Sequence, residues 1–161
     1  MTDRRGLLAG ALAGSVALAS RPASATPPVG FDRAAYDRYI ALMNAGDLAF
    51  VDHYAADVRF VMGLRGRAAV RAFYVRQRPY VRERLAVDFF CSDAQGAAAE
   101  VVSEIRCIRD CDDPALFGRP LKAGDVQRIR GCLLYVLDPA GLIAAIKGPP
   151  PEILQPWRSL G

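Results

Sequence analysis

Residues 39–60 read YIALMNAGDLAFVDHYAADVRF. A helical spacing of apolar residues, running through Phe31, Ala35, Tyr39, Leu42 and Met43, stops at Asn44-Ala45-Gly46. It resumes at once behind Asp47, with Leu48, Val51 and Tyr54 apolar and the chain's only histidine, His53, just before Tyr54. Gly or Asn beyond the last periodic residue closes a helix, and an aspartate heading the next run accepts from its first free amides. The stretch therefore predicts a helix capped by Asp32, a tight corner, and a second short helix carrying His53 and Tyr54. A short strand over 58–62 follows.

Beyond it, Gly63-Leu64-Arg65-Gly66 reads as a loop and Ala68 to Arg78 as a third helix that Pro79 ends. Three strand-like stretches come next, Arg84 to Cys91, Ala98 to Ile108 and Val126 to Leu137. After the turn Asp138-Pro139-Ala140-Gly141, Leu142 to Lys147 reads as the last strand. The tail GPPPEILQPWRSLG is too rich in proline for a helix or a central strand. Trp157 either packs it onto the body or the end frays. Helices first and strands after is an α+β order. One face of a curved, mostly antiparallel sheet has to cover about three N-terminal helices, leaving a cone with an open end. Such a cone is a small-molecule pocket.

The first 25 residues read differently. Arg4-Arg5 precede a weakly apolar run from Gly6 to Ser20, then Arg21-Pro22 and the small-residue triplet Ala23-Ser24-Ala25. That is the order of a secretory signal, and the paired arginines resemble the twin-arginine type. The run is shorter than the about 20 apolar residues that cross a bilayer, so no stable membrane anchor is expected after cleavage. The expected organisation is a signal peptide over 1–25, a linker over 26–30, one domain over 31–148 and a proline-rich tail over 149–161. The expected place is the periplasm or the exterior. Residues 1–25 hold three arginines and one aspartate, so their loss lowers the net charge from +4 to +2.

That small charge argues against nucleic acid as a partner, although seven arginines lie between Arg65 and Arg84. They suit the outer face of a surface helix. The spacings of Cys91, Cys107, Cys111 and Cys132 fit no paired zinc knuckle, and one histidine cannot complete a Cys2His2 site. An oxidising compartment permits a disulfide, with Cys107 and Cys132 facing each other if their strands are neighbours. Burial of the thiols as small apolar side chains is the other reading. With no Gly-rich phosphate loop, metal triad or nucleophile elbow in the sequence, no cofactor and no metal are expected.

Four segments in order resemble the nuclear transport factor 2-like superfamily in its SnoaL-like branch, over roughly residues 31 to 148. They are Tyr39-x4-Asn44-Ala45-Gly46-Asp47-Leu48, Tyr54-Ala55-Ala56-Asp57-Val58, Gly66-Arg67-Ala68-Ala69-Val70 with Phe73-Tyr74, and Leu134 to Ile143. The resemblance implies the cone fold and a homodimer through the outer face of the sheet. It leaves the activity open, since this fold carries isomerases, dehydratases, cyclases, epoxide hydrolases and plain binding modules. In ketosteroid isomerases the first motif opens with the tyrosine that donates to a developing oxyanion, here Tyr39. The resemblance also implies three acid positions, and this chain places Met62, Leu133 and Lys147-Gly148 there. Steroid isomerase chemistry is therefore not what the resemblance implies.

The candidate catalytic residues are Tyr39 as electrophile and His53 as a base near neutrality, the latter reading standing against that of an ordinary helix residue. Tyr54, Met62, Tyr74, Leu133 and Tyr135 are expected to bind substrate, with burial in the core as the plainer reading of the tyrosines. Glu104 and Arg106 share a strand face, as do Arg128 and Arg130. Facing out they form a charged surface or dimer contact; facing in, Glu104 becomes the alternative base. The expected function is a cofactor-independent lyase, isomerase or hydrolase acting on a hydrophobic ring compound. The alternative is a non-catalytic protein that binds such a molecule.

Overall fold

A computed structural model describes residues 31–159, so the signal and linker expected over 1–30 lie outside the described residues. The first apolar spacing forms helix α1 (Arg33–Ala45), whose Asp32 carboxylate accepts from the Ala35 amide. The corner closes it with two backbone bonds, from the Asp47 amide to the Leu42 carbonyl and from the Gly46 amide to the Met43 carbonyl. That pairing needs a left-handed residue, and Gly46 supplies it at φ +71°. Asp47 then accepts from the Ala49 amide and starts the next turn.

That next turn is a 3-10 helix, Leu48–His53, and Tyr54 begins strand β1 (Tyr54–Arg59). The predicted strand over 58–62 thus starts four residues early, and Tyr54 is a strand residue. The reason lies in the spacing: Leu48, Val51 and Tyr54 recur every third residue, the period of a 3-10 turn, which rarely runs long. A loop including Val61–Gly63 leads to helix α2 (Arg67–Gln77). Long strands β2 (Val81–Ser92), β3 (Gly96–Cys107) and β4 (Asp125–Leu137) follow. A short helix, α3 (Pro114–Phe117), interrupts the connection between β3 and β4. Strand β5 (Ile143–Lys147) and an unexpected strand, β6 (Glu152–Ser159), complete the described chain.

The sheet order is β1-β5-β4-β3-β2, antiparallel except where β1 runs parallel to β5. The tail is therefore ordered: β6 pairs with the first half of β4 while β5 pairs with the second half. Pro156 is tolerated because the register slips between Gln155 and Arg158, where a bulge needs no donor from it. Trp157 sits 6.2 Å from the Phe117 ring and packs beside Val81, Cys107 and Leu121. Between β5 and β6 the chain Gly148-Pro149-Pro150-Pro151 leaves a gap opposite the middle of β4.

The concave face of the sheet carries Ala97, Ala99, Val101 and Tyr135 against Tyr36, Tyr39, Phe50, Tyr54 and Tyr74 in one core. The convex face carries Glu104 and Arg106, in ion-pair contact at 3.5 Å, with Arg128 paired opposite Glu104. Glu104 is thus outside the cone, because Val101 and Ser103 take the inward positions of its strand. Cys107 and Cys132 do not face each other: Cys132 pairs with Glu100, and all four cysteines are free thiols.

Candidate functional site

A cavity of about 620 Å³ fills the cone between the helices and the concave face. Its position follows from period-two alternation. Glu83 and Leu85 of β2, Val101 and Ser103 of β3, and Ile129, Gly131, Leu133 and Tyr135 of β4 all point inward. Helix α1 adds Tyr39, Ile40 and Met43 at helical spacing, and α2 adds Tyr74. The mouth is formed by Val61 and Met62 on one side and by Gly148 to Pro151, in the gap between β5 and β6, on the other. Met62 holds a left-handed φ of 66° and is two-thirds exposed, so its flexible thioether lies at the entrance. Gly131 keeps the floor open, since a side chain there would project into the cavity.

The wall is apolar with few polar groups. The Tyr39 hydroxyl lies 2.7 Å from the Tyr54 hydroxyl, and both rings are buried. Either phenol can donate. With Tyr54 donating, the Tyr39 proton is free for a ligand oxygen in the cavity. Burial holds both phenols well above their ordinary value of 10.0, so each stays protonated and Tyr39 remains a donor at any physiological pH. The Tyr135 hydroxyl, 3.3 Å from that of Tyr36, forms a second phenol pair beside the first.

The acid of the cavity is Glu83. Its Oε1 accepts from the Ser103 hydroxyl at 2.6 Å. Burial raises its carboxyl above the ordinary 4.5, against the opposing pull of the Ser103 bond and the Arg78 guanidinium. A carboxyl held this way exchanges a proton nearer neutrality than a surface glutamate does. Phenol donor and carboxylate acceptor facing one apolar cavity can abstract a proton beside a carbonyl while holding the oxygen that becomes negative.

Tyr39, Met62, Tyr74, Leu133 and Tyr135 line this cavity. Tyr54 does not; it reaches the site only through Tyr39. His53 is not in the wall either. It is the last residue of the 3-10 turn, and since Tyr54 turns into the core its neighbour turns aside. The half-buried imidazole packs edge-on against Phe31 and Tyr39, 5.6 Å from the Tyr39 ring, and burial lowers its pKa below the ordinary 6.5. Glu83, and not His53, stands in the cavity wall beside Tyr39. A signal for it existed: Val81, Glu83, Leu85 and Val87 alternate along one strand face. Starting that strand at Arg84 left Glu83 in a loop, and its neighbours Arg82 and Arg84 disguised it as part of a solvated charge run.

The fold and cavity define a small-molecule pocket protein of nuclear transport factor 2-like architecture. A candidate polyketide cyclase from Pseudomonas putida superposes with a TM-score of 0.58 at 26% identity, over 71% of this chain and 86% of that one. The Delta 5-3-ketosteroid isomerase from Mycobacterium sp. superposes at 0.55 with 24% identity, over 72% and 89%. A Mycobacterium tuberculosis protein in complex with estradiol-17β-hemisuccinate does so at 0.55 with 19% identity, over 71% and 89%. No protein-family model and no curated protein matches the sequence.

Proposed function

We propose that the protein is an exported acid–base enzyme, a cofactor-independent lyase, isomerase or hydrolase acting on a hydrophobic ring compound that carries a carbonyl or hydroxyl group. The observation that supports this best is Glu83, a carboxyl desolvated in the wall of an apolar cavity that Tyr39 also lines. In this reading the ring compound enters past Met62 and the proline segment and lies against Leu85, Val101 and Leu133. Tyr39 donates to its oxygen, Tyr54 steadies Tyr39, and the Glu83 carboxylate takes the proton. Ser103 fixes the carboxylate's direction. His53 supports the Tyr39 ring from outside the cavity. The steroid ligand of the Mycobacterium tuberculosis protein supports a flat hydrophobic substrate class. Export rests on Arg4-Arg5 and Ala23-Ser24-Ala25. A homodimer through the convex sheet face accords with the apolar side chains exposed there.

The test is a screen of cyclic ketones, enones and epoxides for turnover, followed by Tyr39→Phe and Glu83→Gln. Loss of an oxyanion donor lowers kcat by about 100- to 1000-fold with little change in KM. Glu83→Gln is expected to remove turnover while binding persists. The vacant acid positions at Met62, Leu133 and Lys147-Gly148 favour a second reading, a binding protein. Under it both substitutions shift affinity alone and no compound turns over.

A further inference from the structure

Glu83 and Tyr74 line a second cavity as well as the first. This one, about 390 Å³, opens between the Asn44–Gly46 corner and the C-terminal turn of α2. Two polar atoms of residues in its wall, Gln77 Oε1 and Arg78 Nη1, are buried and find no hydrogen-bond partner among the described residues. Gln77 is only 8% exposed, and the Arg78 guanidinium lies over the rings of Phe50 and Tyr74 at 5.4 and 5.8 Å. A buried donor and a buried acceptor left unpaired cost roughly 1–3 kcal/mol each. Water accepting from Arg78 and donating to Gln77 would relieve both, and a cavity of about 390 Å³ has room for it.

We infer that the second cavity is the proton route of the site: with the main cavity occupied, Glu83 exchanges its carboxyl proton with bulk solvent through water held by Gln77 and Arg78. The inference rests on Glu83 being the acid–base group. The groups around Glu83 are Ser103 on β3, Tyr39 on α1, Tyr54 on β1, Tyr74 on α2 and Arg78 just past its C-terminus, with Arg82 its neighbour along the chain. Both cations of that set, Arg78 and Arg82, lie in the wall of the second cavity. Because Glu83 lines both cavities, a proton taken from the ligand onto its carboxylate leaves by breaking the new O–H bond towards this water, which carries it to bulk and restores the carboxylate. Protonation from solvent runs the same way in reverse. A hydrogen removed from the ligand is then lost rather than returned. That suits elimination or hydrolysis, where water is product or reactant, better than an isomerase that carries one proton between two carbons.

The test follows the infrared carboxyl band of protonated Glu83, identified by its loss in Glu83→Gln, after a stopped-flow drop in pH. Val75→Trp and Ala45→Trp each put an indole into the second cavity from exposed positions that do not line the first. Gly131→Phe fills the main cavity instead, and a Cβ there meets only the Leu133 side chain, at 3.9 Å. The band is expected to rise roughly tenfold more slowly in both tryptophan variants, to its usual amplitude, and at the native rate in Gly131→Phe. Native rates in both tryptophan variants, or equal slowing in Gly131→Phe, overturn the route and leave Glu83 as the acid–base group. A chain without a band that Glu83→Gln removes overturns both.

Discussion

Each residue of Asn44-Ala45-Gly46-Asp47 has a separate task, and the one at Asn44 reaches furthest. Strand β2 is an edge of the sheet, so its outer amides and carbonyls lack a neighbouring strand. The Asn44 carboxamide takes the place of one: it donates to the Leu85 carbonyl at 3.0 Å and accepts from the Leu85 amide at 2.7 Å. Leu85 lies two residues from Glu83, so the corner that ends α1 also fixes the strand that aims the acid. Glu83 in turn bears a cost for its place. Because burial raises its folded pKa above the unfolded 4.5, the folded chain binds the proton more tightly, and its contribution to stability is complete below 4.5. It is lost as pH rises through the raised folded value. Thermal melts of the native protein are therefore expected to fall as pH climbs through that window. Glu83→Gln should lose that dependence and melt higher at neutral pH. A flat native profile there would remove the desolvated carboxyl from the account. The acid limb of turnover should track the same group, so His53→Gln is expected to leave that limb in place.

Among the elements, those with long, clean periods were legible: α1, α2 and the three long strands fall within a few residues of their predicted bounds. Misreadings arose where two periods compete or a boundary carries the chemistry. The spacing of three over Leu48, Val51 and Tyr54 serves a 3-10 turn as well as a helix, and this moved Tyr54 and His53 onto one element. Thereby His53 looked like a partner of Tyr39 across the cone. Of the site, the phenol was legible from its motif, and the carboxyl was lost to a strand boundary three residues late. The β6 pairing was not legible, because a bulge that accommodates Pro156 leaves no local mark in composition. Disulfide pairing needed the register, which offsets Cys132 to Glu100. Asn44→Ala tests whether the corner governs the edge strand. It removes two hydrogen bonds and is expected to cost about 1–3 kcal/mol in urea unfolding, since each contributes about 0.5–1.5. Asn44→Asp keeps the acceptor and is expected to recover part of it. A midpoint unchanged in Asn44→Ala would show that β2 holds its edge unaided.

For the whole molecule, export and association are linked through the exposed surface. Replacing Arg4 and Arg5 with lysine is expected to leave uncleaved precursor in the cytoplasm, whereas the exported chain should begin at Thr26 by N-terminal sequencing. Intact Met1 on the exported protein would overturn that order. If the chain is exported, the convex sheet face and its free exposed thiols Cys91 and Cys132 would meet an oxidising solvent. Much of its charged half is already paired within one chain: Arg130 lies 3.4 Å from Glu100 and 3.2 Å from Glu152, and Arg106 lies 3.5 Å from Glu104. A partner gains little from pairs already made. The apolar half has no such internal answer. Phe89 is 56% and Leu134 54% exposed; Phe89 pairs opposite Glu100 on β3, and Leu134 pairs opposite Ala98, whose small side chain leaves it uncovered. A two-fold axis over this half would set each Leu134 against its copy's Phe89 and remove both from water. Leu134→Asp and Phe89→Asp are therefore expected to convert a dimer to a monomer in light scattering at micromolar concentration, with secondary structure intact. Arg130→Glu is expected to change stability more than association, because it breaks two pairs inside the chain. A native protein that scatters as a monomer would leave the apolar half of the face without a partner and end the dimer proposal.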